Sequence, residues 1–470
     1  MAINKMADAG TDGGLLARSA IAFTRWAEKW FPDAFVFVVL GVIIVAAGNL
    51  ATGAPVAAIA TGMGDGFWSL IPFTIQMSMV VITGYVVASS PPVLRLIEWL
   101  ARVPATGRGA VAFTAFASMA ASYLNYALSL VLGALLVRAL ARRRDIRVDY
   151  RAAGAAAYLG LGATWALGLS SSAAMLQANP ASLPKAVADI TGVIPLSQTI
   201  FLWQSMAMGL VILLASVAIA YYSAPGDAQA RTAADLGIDV TEANPEKSAV
   251  ARPGDWLELT PLLPLVIVAL GAGFLVHEFQ NKPALAVISN LNTYNFFFVM
   301  LGLLLHGRLR GFLNAVSKAV PSTAGVLIQF PFYGAIAQLL TQVPGADGQS
   351  ISHHLAHLFV SLANGGTFPV VIGVYSAVLG FLVPSGGGKW IIEAPYVMQA
   401  AIDVNAHKGW AVQIYNAAEA LPNLINPFWM LPLLGVLGLK AKDIVGFSFT
   451  QLLFHLPLVL FLLWLLAPAA

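Results

Sequence analysis

The chain has no cysteine, which excludes disulfides, thiolate metal sites and thiol nucleophiles. Charge is almost as scarce. Only 10% of the 470 residues are Asp, Glu, Lys or Arg, where a soluble domain carries about 25%. The net charge of +3 is too small to point to a nucleic-acid partner. From residue 319 to residue 388 there is no Lys or Arg at all. Apolar sequence fills the space that charge leaves: 59% of residues are hydrophobic and the mean hydropathy is +0.78. A chain this apolar cannot hide its surface in one soluble core, so its solvent is a bilayer. The apolar runs recur from about residue 33 onward and make one polytopic, all-α membrane protein. Residues 1–32 do not read as a cleaved leader. Their apolar stretch is broken by Arg18, Arg25, Glu28 and Lys29, which suits an amphipathic helix on the inner membrane surface.

A helix needs about 20 apolar residues to cross a bilayer. Nine stretches meet that pattern: 33–51, 72–90, 152–176, 198–222, 259–276, 290–305, 322–340, 410–435 and 445–467. Two further apolar segments do not. The segment 109–137 is uncharged over 29 residues, while two crossings need about 40. It lies between Arg95, Arg102 and Arg108 on one side and Arg138, Arg142, Arg143, Arg144, Arg147 and Arg151 on the other. The positive-inside rule puts both clusters in the cytoplasm, so 109–137 is expected to be a re-entrant hairpin. The second odd segment, 367–400, holds Pro384-Ser385-Gly386-Gly387-Gly388 near its middle and is expected to dip in from outside. With the N-terminus in the cytoplasm, this gives two units of one plan and opposite orientation, 33–222 and 290–470. Between them lie a cytoplasmic linker, 223–258, and an inverting span in 259–289. Thr74-Ile75-Gln76-Met77 and Leu327-Ile328-Gln329-Phe330 fall in equivalent spans, with Gln76 and Gln329 as supporting polar residues. This is the inverted-repeat pattern of secondary transporters.

Non-helical backbone at membrane depth survives only where it is buried in protein or lines a wet cavity. Three places qualify. Ser385, Gly386, Gly387 and Gly388 form a turn whose amides, with the helix starting at Lys389, suit a carboxylate; the bland reading is a tight turn. Ser122 to Asn125 form the other hairpin tip, where Asn125 suits a carboxylate or a sodium ion or simply packs helices. The third place is a pair of broken spans. One carries Gly160, Gly162, Gly168 and Ser170 to Ser172. The other carries Pro422, Asn423, Asn426 and Pro427. Glu419, an ionisable group inside a span, is a candidate for a proton or sodium. Lys389 and Glu393 are spaced i,i+4: either they pair with each other, or Lys389 meets the substrate carboxylate while Glu393 balances it. His353, His354 and His357 have metal-like spacing but fit an interfacial helix better, and no metal or cofactor is expected. An intramembrane enzyme would need a nucleophile–base pair at depth, and Ser385 has no histidine to activate it.

Four collinear stretches carry a resemblance: Asp65-Gly66-Phe67-Trp68, Ser322 to Tyr333, Val383 to Trp390, and Asn426-Pro427-Phe428-Trp429. Together they resemble the bacterial short-chain fatty acid transporter family within the ion transporter superfamily, from about residue 20 to the end. The resemblance implies uptake of small monocarboxylates such as acetoacetate or butyrate across the bacterial inner membrane, with H+ or Na+ as coupling ion. It also implies paired hairpins meeting at a central site and elevator-like movement, and it admits a homodimer. The hairpin tips carried over are Ser122 to Asn125 and Ser385 to Gly388. The sequence departs from the superfamily pattern at Lys389 and Glu393, where neutral polar residues are usual. That departure leaves a dicarboxylate or bulkier acid open as the alternative substrate.

Overall fold

The computed structural model describes residues 15–468 apart from 31–33, 70, 125, 170, 179–182, 184, 242–251, 285–286, 288–289 and 383–385. Every regular element among the described residues is helical. Six helical runs are long and apolar enough to cross a membrane: Val56–Val87, Tyr150–Ala178, Trp203–Ser223, Leu262–Asn281, Ala324–Thr341 and Ala441–Leu465. Val38–Ala51, Leu128–Ala141 and Phe368–Phe381 are shorter apolar helices. Each of the nine stretches expected to span contains helix among the described residues, and the six runs named first are those long and apolar enough to cross.

Between the first two expected spans lies a helix that periodicity did not assign, Val56–Ser69, followed at once by Ile71–Ala88. Its sequence is rich in glycine and weak in helix propensity. Tertiary packing overrides that weakness. A β-carbon on Gly66 would stand 2.7 Å from Ala335 Cα and 2.6 Å from Gln338 Cβ. The small residue thus lets Val56–Ser69 lie directly on Ala324–Thr341. Buried Asn49 binds the same helix, donating from Nδ2 to Leu339 O at 2.9 Å.

Both odd segments are helix pairs folded back on themselves. The first pair is Gly107–Leu124 and Tyr126–Ala141; Ser118 Oγ and Ser129 Oγ, nearly equidistant from the tip, are 2.9 Å apart. The second is Phe368–Leu382 and Gly386–Asp403, closed across its middle by Ser376 and Glu393 (2.6 Å). The expected breaks are present as well. Tyr150–Leu159 runs into a π-turn at Gly160–Thr164 and a 3₁₀ turn at Trp165–Leu167, and the chain resumes as Ser172–Ala178. Lys408–Asn423 ends at Pro422 and Asn423, and Pro427–Leu437 starts afresh.

Arginines flanking the first helix pair bind the segment 223–258. Arg108 donates to Ala224 O (3.0 Å), Arg138 to Asp239 O (3.1 Å) and Val436 O (3.3 Å), and Arg147 to Ala230 O (3.3 Å). Thr232 amide and hydroxyl donors, with Arg147 nearby, hold the Asp235 carboxyl below the usual carboxylate range. Asp149 caps Tyr150–Leu159, accepting from the amides of Arg151 and Ala152, and forms a buried ion pair with Arg151 at 3.0 Å. Arg151 therefore belongs to the packed interior and not to the charged face. At the periphery, Leu262–Asn281 buries little beyond Pro264 and Gly271. Leu270, Val276 and Leu265 stay exposed, as a lipid-facing helix requires.

Candidate functional site

The two tips and the two breaks converge. At the first tip, fully buried Ser122 shares a 2.8 Å hydrogen bond with Thr164 of the π-turn, and Leu169 N donates to Tyr123 O at 2.8 Å. This approach needs Gly168, where a β-carbon would stand 2.6 Å from Tyr123 Cα. Trp165 then bridges to the second tip. Its ring faces Tyr126 at 6.2 Å between centroids, and its far edge lies where a β-carbon on Gly386 would be. The two breaks touch each other through Tyr158, whose hydroxyl donates to Asn423 O at 2.7 Å. Asn426 Nδ2 donates to Phe381 O at 3.2 Å, tying the second break to the second hairpin.

Beneath this junction sits a closed charge cluster. Lys389, Glu393 and Glu419 are all fully buried. The Lys389 ammonium donates to Glu393 Oε1 at 2.8 Å and to Ser376 O at 2.9 Å, and stands 2.7 Å from Glu419 Oε2. It also lies over the Tyr415 ring, 4.3 Å from its centroid, a cation–π contact. Glu393 Oε2 accepts from Ser376 Oγ. Glu419 Oε1 meets no donor among the described residues, and neither amide atom of fully buried Asn423 has a side-chain partner. One ammonium facing two carboxylates and a carbonyl leaves the cluster with one net negative charge when all are ionised, and the unpartnered Glu419 oxygens and Asn423 amide leave room for one more polar group.

The helices explain the placement. Glu419 and Asn423 are i,i+4, and Tyr415 is one turn earlier on the same face of Lys408–Asn423. Lys389 and Glu393 share a face of Gly386–Asp403 in the same way. The hairpin fold then brings Ser376 opposite both. Gly386 and Gly387 begin that helix, and the Gly386 carbonyl accepts from Tyr415 Oη at 2.6 Å. Gly388 follows them in its first turn. Asn125 and Ser385 lie outside the described residues.

Two expected polar residues stand elsewhere. Gln76 donates to Asn292 Oδ1 at 2.7 Å and its carbonyl accepts from Asn295, so it joins Ile71–Ala88 to Leu291–His306. Gln329 is buried on Ala324–Thr341, with Oε1 unpartnered among the described residues. His353 faces Tyr396 (Nδ1 to Oη, 2.8 Å) and His354 pairs with Asp347 (3.1 Å). Among the described residues no group of three His, Cys, Asp or Glu is placed to hold a metal. Ser376, Tyr415, Trp165 and Thr164 went unremarked in the sequence. Tyr415 was readable as the residue four before Glu419. Thr164 and Trp165 lie side by side in the turns 160–167 and Ser376 comes from Phe368–Leu382, and no spacing along the chain links these two places.

The chain resembles known proteins over almost its full length. A family model described as short chain fatty acid transporter matches residues 15–466. A protein of Escherichia coli (strain K12), provisionally named a short-chain fatty acid transporter, is 34% identical over 446 residues, covering 94% of this chain and 97% of the relative. One of Haemophilus influenzae with the same provisional name is 31% identical over 460 residues, covering 96% and 100%. Among solved structures, the Alcanivorax borkumensis YdaH transporter aligns with a TM-score of 0.44 at 15% identity, over 93% of this chain and 100% of that one. Neisseria gonorrhoeae MtrF, titled an antimetabolite efflux pump, aligns with a TM-score of 0.41 at 14% identity, over 95% and 97%. With a family model and two relatives agreeing over nearly every residue, this chain belongs to the short-chain fatty acid transporter family, whose members are transporters and not enzymes.

Proposed function

We propose that this protein carries a small monocarboxylate, of the size of acetoacetate or butyrate, across the bacterial inner membrane. In this reading it is a secondary symporter coupled to H+ or Na+, its N-terminus lies in the cytoplasm, and the repeats 33–222 and 290–470 are inverted about the linker 223–258 and the span in 259–289. The helix pairs 109–137 and 367–400 act as re-entrant hairpins, and the site alternates between the two sides by elevator-like movement. The observation that carries the reading is the meeting of both hairpin tips and both helix breaks above a buried cluster with spare polar atoms, Glu419 Oε1 and the Asn423 amide. Polar groups at membrane depth are costly unless they serve a substrate or ion path.

The cluster also bears on substrate charge. A dicarboxylate would need a cation to spare, but Lys389 already faces Glu393 and Glu419. A second substrate charge would enter a cluster that is negative when fully ionised, which favours a monocarboxylate. The test is uptake of labelled butyrate by proteoliposomes holding the purified protein, with a sodium gradient, a pH gradient or neither. Initial rates above protein-free vesicles are expected, with succinate a poor competitor. No movement of butyrate under any condition, or stronger inhibition by succinate than by acetoacetate, overturns the assignment.

A further inference from the structure

We propose that Glu419 is the proton-coupling group, because it and the substrate carboxylate compete for the Lys389 ammonium. The inference rests on the transport reading above and names its coupling ion and stoichiometry.

The argument is a count of donors and acceptors. The Lys389 ammonium has three hydrogens. Ser376 O and Glu393 Oε1 accept two of them at 2.9 and 2.8 Å, and Glu419 Oε2 lies 2.7 Å away as an ion-pair partner outside hydrogen-bond geometry. These three groups surround the ammonium, so a substrate carboxylate reaches Lys389 by displacing one of them. Ser376 O is backbone. Glu393 is held a second time by Ser376 Oγ. Glu419 is held by its ion pair with Lys389, and neither of its oxygens accepts a hydrogen bond among the described residues, which makes it the partner that yields. One turn on, Asn423 offers an unpartnered Nδ2 to the incoming carboxylate.

Once displaced, Glu419 would be a buried carboxylate without a partner, which is strongly unfavourable. It takes a proton: a hydronium ion from the side of entry gives up H+, an O–H bond forms on the Glu419 carboxyl, and water leaves. The cluster then holds Lys389, Glu393, the substrate anion and neutral Glu419, and its net charge is what it was before. One carboxylate and one proton cross together, and the cycle is electroneutral. Release reverses each step. A sodium ion on the Glu419 carboxylate would sit within about 5 Å of the Lys389 ammonium and be repelled by it.

Among the described residues the other titratable groups at the cluster are Lys389, Glu393, which Ser376 Oγ also holds, and tyrosines. From Phe368–Leu382 comes Tyr375, and from the same helix as Glu419 comes Tyr415. Gly386–Asp403 contributes Lys389, Glu393 and Tyr396. Tyr158 faces Asn423. The turns 160–167 and the helix Ser172–Ala178 carry no ionisable side chain. His455 of Ala441–Leu465 faces Ser216 and Gln451 instead.

Two measurements test the proposal. Butyrate is added to purified protein in weakly buffered detergent solution while pH is followed. The expected result is uptake of about one proton per butyrate bound, abolished in Glu419→Gln. In proteoliposomes, initial uptake above that of protein-free vesicles should rise with an inward pH gradient and be indifferent to an imposed membrane potential. Glu419→Gln, which mimics the protonated acid, should lose the response to the pH gradient yet keep exchange of labelled for unlabelled butyrate. Wild-type protein that binds butyrate without proton uptake, uptake driven by sodium alone, or a Glu419→Gln carrier still driven by the pH gradient overturns the inference. If Glu419→Gln does not fold, proton uptake and potential dependence of the wild type still decide. Wild-type protein that neither exchanges nor accumulates any carboxylate instead defeats the transport reading itself.

Discussion

Adjacent glycines at the second hairpin tip should respond in opposite ways to the same substitution. At Gly386 an added methyl group would overlap the Trp165 ring. Carbon atoms settle about 3.5–4.0 Å apart, so ring and helix must part by about 1 Å or more. Trp165 has little freedom to yield: it is 4% exposed and its ring abuts Tyr126. Overpacking of this kind costs about 1–3 kcal/mol. At Gly387 the nearest atoms to a β-carbon are Ser172 Cβ at 3.3 Å and Leu176 Cδ1 at 3.5 Å, contacts that a few tenths of an ångström relieve. There the helical preference for alanine, roughly 0.5–1 kcal/mol, offsets the crowding. Thermal unfolding in detergent should therefore place Gly386→Ala well below the wild type and Gly387→Ala within error of it. Uptake should fall only for Gly386→Ala, since only that change separates the second tip from the broken helix. Equal stability and equal uptake for the two variants would mean that Trp165 does not bridge the tips, and the convergence of the site would have to be abandoned.

Three further outcomes follow from the packing. Lys389→Met strands Glu393 and Glu419 without their cation and should lower stability by about 3–5 kcal/mol; adding Glu419→Gln should recover part of the loss, and strict additivity in the double mutant would argue against their contact. Asp149→Ala removes a helix cap and breaks the buried ion pair with Arg151, again about 3–5 kcal/mol. Asp149→Asn keeps an acceptor for the cap and should cost distinctly less, and equal unfolding temperatures for the two would refute the contribution of the cap. Tyr158→Phe deletes the donor to Asn423 O and should cost about 1 kcal/mol; an unchanged unfolding temperature would show that the two helix breaks are not joined there.

Hydropathy and charge asymmetry made the helices legible, because bilayer thickness and arginine placement are written directly into runs and clusters of residues. The paired helices within 109–137 were legible as a departure from a plain span, because the segment is too long for one crossing and too short for two. The helix Val56–Ser69 was not, since its glycines speak against a helix and only the facing surface of Ala324–Thr341 rewards one. Within the site, Glu419, Lys389 and Glu393 stood out as charges in apolar sequence. What no spacing could reveal is that all three meet. Lys389 and Glu393 are neighbours along one helix, but Glu419 and Ser376 arrive from two others, and that meeting depends on how three helices pack. The glutamines show the converse: similar sequence around Gln76 and Gln329 suggested a shared role, yet Gln76 serves to tie Ile71–Ala88 to Leu291–His306.

The arginine-held linker has a consequence for how the protein is made. Arg138 reaches Val436 O, and the Tyr150 hydroxyl reaches Leu437 O at 3.0 Å, so residues made early wait for residues made nearly three hundred positions later. Contacts of such long sequence separation form late. Until Pro427–Leu437 leaves the ribosome, the nascent chain keeps these two donors without those acceptors. A chain stalled before Val436 would close its arginines on Ala224, Ala230 and Asp239 alone, a half-made clasp that ties the early helices to 223–258 but to nothing beyond it.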